Sequence, residues 1–114
     1  MRKKRERCSL KQDEIDDILM IRMTGRLDQE MIKTALEETS LQKVALDLNR
    51  LEELKTKDLR FLLELSKKLK GQLCFYSENS ELIELITMSG LDNQILFRFN
   101  EGEAISALSD GGGE

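Results

Sequence analysis

From residue 43 to residue 109, short apolar runs alternate with helically spaced stretches, and this restricts what the chain can fold into more than any other feature. Val44-Ala45-Leu46-Asp47-Leu48 has the pattern of a buried strand. After a connection over residues 49–55, Thr56 is the natural N-cap of a helix reaching residue 70. In that helix Leu59, Leu62, Leu63 and Leu69 keep helical spacing, Phe61 and Leu65 widen the stripe, and Gly71 stops it. Residues 73–76 make the next strand. Asn79-Ser80 then opens a helix through Leu82, Leu85 and Ile86 that ends at Ser89-Gly90. Residues 95–99 form a last strand, and Asn100 with Glu103 supplies the N-cap and N3 pair of a final helix through Ala104, Ile105 and Leu108. Such an order requires mostly parallel strands joined by right-handed crossovers.

Upstream, Ile15, Ile18, Leu19, Met20, Ile21 and Met23 form an apolar strand closed by a turn at Thr24-Gly25. Residues 8–12 are a weaker strand that can pair with it as a hairpin through the polar residues 13–17. Asp28 caps a short helix with Met31, Ile32, Ala35 and Leu36 on one face. The expected architecture is α/β, a mixed sheet of about five strands with about four helices. One domain is expected over residues 8–109, monomeric on its own, between a basic tail (1–7) and a flexible Gly-rich end (110–114).

Charge and residue usage narrow the function. Five of the 18 Lys/Arg and one of the 22 Asp/Glu lie in residues 1–7, leaving an acidic body that makes a poor nucleic-acid surface. The tail lacks aromatics and reads as a solvated charge run. It also lacks the apolar core of a signal peptide, and the longest apolar stretches are far too short to cross a bilayer, so a cytoplasmic location without membrane insertion is expected. Cys8 and Cys74 form no C-x-x-C pair and read as a tail thiol and a buried thiol. With no histidine, the chain lacks the commonest general base and the commonest metal ligand. No phosphate-binding glycine loop is present either, so no enzymatic activity, cofactor or metal is expected.

Three stretches stand out: Leu19-Met20-Ile21-Arg22-Met23-Thr24-Gly25-Arg26-Leu27-Asp28; Leu46-Asp47-Leu48 followed by Leu51 and Leu54; and Met88-Ser89-Gly90-Leu91. In this order they resemble the STAS domain of bacterial anti-sigma-factor antagonists. The first is similar to the family's early strand followed by its G-x-L-D turn, the second to the strand and loop that carry the regulatory serine or threonine, and the third to the turn after the third helix. There are departures: the first helix is about two turns short of the family's and the second about one turn. The phosphorylation loop reads Lys55-Thr56-Lys57-Asp58-Leu59, which keeps only the hydroxyl and the hydrophobic residue.

The resemblance implies a non-enzymatic regulator that binds a protein partner, an anti-sigma serine/threonine kinase in a partner switch, with Thr56 as phosphoacceptor. Asp28, Thr56, Lys57 and Leu91 are the expected partner-binding residues, with Leu54 as a further loop candidate. Asp28 and Thr56 also have a plainer reading as helix N-caps, and the two leucines as core closure. The degenerate loop leaves open an alternative, a constitutive adaptor docked on a transporter ATPase or signalling complex and not switched by phosphorylation.

Overall fold

The computed structural model describes residues 8–40, 42–69 and 71–111. The basic tail, the last three residues and the Cys8 side chain lie outside that description. The elements in chain order are β1 (Cys8–Ile15), β2 (Ile18–Arg26), α1 (Gln29–Glu38), β3 (Lys43–Glu53), α2 (Thr56–Lys68), β4 (Leu73–Tyr76), α3 (Ser80–Met88), β5 (Phe97–Arg98) and α4 (Glu101–Gly111), with a short 3-10 turn at Leu91–Asn93 before β5. The sheet order is β1-β2-β3-β4-β5; β1 and β2 are antiparallel and every later pair is parallel, as the alternation requires.

Each central strand is buried on both faces, and its period of two divides the core in two. Leu19, Ile21, Met23, Val44, Leu46, Leu48, Leu73 and Phe75 point to one side, where Ile32 and Ala35 of α1, Phe61, Leu62 and Leu65 of α2, and Leu82 and Ile86 of α3 cover them. Ile18, Met20, Ala45, Cys74 and Tyr76 point to the other, beneath Ala104 and Leu108 of α4. Cys74 is the expected buried thiol, and desolvation pushes its pKa up to about 12, so it stays protonated at neutral pH.

The hairpin forms with β1 three residues longer than expected. Its turn is Asp16-Asp17, both at positive φ (52° and 67°), the primed geometry that matches strand twist and that aspartate tolerates. Three further boundaries differ. Thr24-Gly25 is not a turn: β2 continues to Arg26, and Gly25, at φ 89°, lies where the β2–β3 register shifts. The connection expected at residues 49–55 is strand as far as Glu53, because Thr24, Gly25 and Arg26 offer Arg50, Leu51 and Glu53 a ladder that overrides their polar composition. β5 shrinks to two residues, since an edge strand with a single neighbour has few pairing partners. At the C-terminal end α4 continues through Gly111, past the expected boundary at residue 109.

Leu46 is fully buried at the centre of β3. Leu46→Asp should therefore abolish the cooperative melting transition. The buried charge and lost leucine together cost roughly 5 kcal/mol or more, comparable with the whole stability of a small domain. Leu46→Ala should fold with a loss of roughly 2–5 kcal/mol by urea titration.

Candidate functional site

At the C-terminal ends of the parallel strands, where α/β folds commonly bind their ligands, two helices begin side by side. Asp28 is the N-cap of α1, its Oδ1 accepting the Met31 N–H at 3.1 Å. The cap of α2 departs from the expectation. Thr56 is the first helical residue and not the N-cap; that place is taken by Lys55, whose side chain cannot accept a hydrogen bond. Asp58 compensates from inside the first turn. Its Oδ2 accepts the Lys55 N–H at 2.9 Å, half of a capping box, and the side chain is 6% exposed. A carboxylate in the first turn also suits the positive end of the helix dipole. The Thr56 hydroxyl is thereby released from capping and stands on an exposed residue.

Between the two helix starts lies an open groove of about 410 Å³ lined by Arg26, Leu27, Asp28, Glu30, Lys57 and Asp58, among others. Arg26 Nε reaches Glu53 Oε2 at 3.7 Å, an ion pair with both side chains about half exposed. The structure thus brings Asp28 and Lys57 into one concave surface; Thr56, which precedes Lys57 in the chain, is exposed and is not among the lining residues. The structure does not bring in the leucines. Leu91 is 5% exposed and Leu54 8%; both close the main core, so neither side chain is presented to a partner.

A second polar constellation escaped the sequence reading. Arg22, on the α4 side of β2, donates from Nη1 to Glu101 Oε1 at 2.8 Å and from Nε to Asp13 Oδ2 at 3.2 Å, with Asp47 Oδ2 and the Tyr76 hydroxyl each 3.5 Å from Nη1. Tyr76 donates its hydroxyl to the same Glu101 oxygen at 3.0 Å. Asp47 Oδ1 accepts the Asn49 N–H, and Asn49 Oδ1 accepts the Glu78 N–H. The arrangement ties β1, β2, β3 and β4 to the first residue of α4. Arg22 holds the Glu101 carboxyl below the usual carboxylate range, helped by Tyr76 and opposed by partial burial. Desolvation, with Asp47 and Glu101 nearby, pushes the Tyr76 phenol up and keeps it a donor. Arg22 is already neutralised by three carboxylates, so the cluster has no capacity for an added anion; it is a structural tie. A charge inside the apolar run Leu19-Met20-Ile21-Arg22-Met23, and another inside Val44-Ala45-Leu46-Asp47-Leu48, are the sequence signals that could have found it.

Among the described residues no group of histidine, cysteine or acidic side chains could hold a metal ion, and no helix is long and apolar enough to cross a membrane.

A family model described as the STAS domain matches residues 9–104. No curated protein sequence matches the chain significantly. Solved structures share its fold. An anti-sigma factor antagonist from Mycobacterium paratuberculosis superposes with a TM-score of 0.79 at 18% identity, covering 90% of this chain and 95% of that one. A serine-to-glutamate variant of RsbS from Moorella thermoacetica gives 0.68 at 18% identity, covering 89% and 95%. An uncharacterised protein with a SpoIIAA-like fold from Shewanella loihica gives 0.55 at 16% identity, covering 95% and 98%.

Arg22→Met should destabilise the fold by roughly 2–3 kcal/mol in urea unfolding, because it leaves part-buried carboxylates without their cation. Glu101→Gln should cost less, about 1 kcal/mol, since Arg22 and Glu101 are 31% and 37% exposed and glutamine still accepts. A depressed carboxyl pKa stabilises above its unfolded value of about 4.3 and loses that contribution as pH falls through the folded value. The stability gap between wild type and Glu101→Gln should therefore be full at pH 7 and close below about pH 4.

Proposed function

Because this chain belongs to the STAS domain family, matched over residues 9–104, we propose that it is a cytosolic, non-enzymatic regulator of the anti-sigma-factor-antagonist kind. Its partner is an anti-sigma serine/threonine kinase, and phosphorylation of Thr56 ends the binding. The observation that carries this reading is the release of the Thr56 hydroxyl. Asp58 caps α2 in its place, and Thr56 stands exposed, next in the chain to Lys57, which lines a groove with Asp28. A protein that docks on the two helix starts can reach that hydroxyl.

The geometry also indicates how a phosphate would act. Thr56 is the first residue of α2 and is exposed, so a phosphate there stands on the surface at the start of the helix. Its charge of nearly −2 then faces the partner, beside Lys55 and Lys57, which offset it only in part. The fold likeness to an anti-sigma factor antagonist and to RsbS supports the same reading.

Incubation with the partner kinase and ATP should add one phosphate, located at Thr56 by peptide mass analysis. Thr56→Glu should weaken kinase binding by roughly tenfold, about 1.4 kcal/mol, in calorimetry. Thr56→Ala should bind as wild type without being switched. Since Thr56 is not the cap, its replacement by alanine should change stability by less than about 0.5 kcal/mol. Equal affinity of wild type, Thr56→Glu and phosphorylated protein would overturn the switch and leave a constitutive adaptor.

A further inference from the structure

We propose that the open edge of β5 is a strand-pairing edge for a second copy of this chain, and that Arg98 and Glu103 hold it shut. β5 ends the sheet, with β4 as its one strand neighbour. The Leu96 and Arg98 carbonyls accept from Phe75 and Ser77 on the β4 side. Strand alternation therefore turns the N–H and carbonyl of Phe97 toward the open side, and Phe99 follows directly past the end of β5. The Phe97 carbonyl and the Phe99 N–H are both occupied. Arg98 Nη1 folds back to the Phe97 carbonyl at 2.8 Å, and Glu103 Oε1, from the first turn of α4, accepts the Phe99 N–H at 3.2 Å. One acceptor and one donor that an added strand would need are occupied by side chains of the same chain.

Beside this edge lies an open groove of about 1130 Å³ between β5 and α4, with Gly102, Ser106 and Ala107 among its lining residues. Phe99, 52% exposed, is on its rim, one of three large apolar side chains exposed among the described residues. Aromatic anchors beside small-residue hollows are typical of protein interfaces. The occupant we assign is a second copy, for two reasons. The patch carries one cation and one anion, so it is locally neutral on a chain of net charge −4, and copies repel one another least here. An antiparallel strand pair about a two-fold axis is also self-complementary, each copy giving a knob, Phe99, and a hollow. The other sheet edge, β1, is protected differently, by the exposed charges Lys11, Asp13 and Glu14.

Light scattering after size exclusion, over a range of concentrations, tests the proposal. Wild type should remain at the monomer mass. R98A/E103A removes both side-chain caps while keeping the patch neutral, and should move toward twice that mass as concentration rises. R98K/E103Q keeps a donor and an acceptor and should stay monomeric. Adding Phe99→Asp to R98A/E103A should restore the monomer. In dilute solution, hydrogen exchange at the Phe99 amide should be at least about tenfold faster in Glu103→Ala than in wild type. Glu103 also sits in the first turn of α4, so the alanine variants are first shown to keep a wild-type-like melting transition. A folded R98A/E103A that stays monomeric, an association indifferent to Phe99→Asp, or a wild type that already pairs through β5 would each overturn the proposal.

Discussion

Everything in this fold depends on the parallel ladder of β2, β3 and β4 being buried on both faces. Ile21 pairs with Leu46 and Leu46 with Phe75 on one side, while Met20, Ala45 and Cys74 line up on the other. Alternation along a single strand supplies both cores, so each helix has only to bring one apolar stripe. Three helices on one face and one on the other make the two cores unequal, which leaves the second face incompletely covered.

Where that cover runs out, the sheet turns polar. Arg22 and Asp47 continue the rows that Met20 and Ala45 begin, and Glu101 meets them at the start of α4. A lone guanidinium in this position would be costly; with three carboxylates and a phenol around it, its charge is compensated and its geometry sets where α4 starts. The same strand ends also carry the α1 and α2 starts. A polar tie on one face and the groove between the α1 and α2 starts on the other are thus carried by the same strand ends.

The α2 start shows how the residue at one position sets the roles of its neighbours. Lysine at the N-cap cannot satisfy the first turn, so Asp58 does so from N3, and the threonine that would ordinarily be read as the cap is released to the surface. Capping, burial and exposure are linked here: the residue that caps becomes buried, and the residue that does not is exposed.

The sequence by itself determined the element order, the mixed sheet and most of its core, because periods of two and of 3.6 are local properties of the chain. Asp28 and Asn100 were legible as caps for the same reason, since a cap spans only two or three residues. Tertiary structure decided what depends on distant partners. The extension of β3 over residues 49–53 required β2 alongside, and the burial of Leu91 and Leu54 required the assembled core. The meeting of Arg22, Asp47, Tyr76 and Glu101 joins residues up to 79 positions apart, a separation no local pattern can encode. Whether Thr56 or Asp58 caps α2 was settled by which side chain the packed helix turned inward, and burial of Asp58 beside the Lys55 N–H is the physical reason.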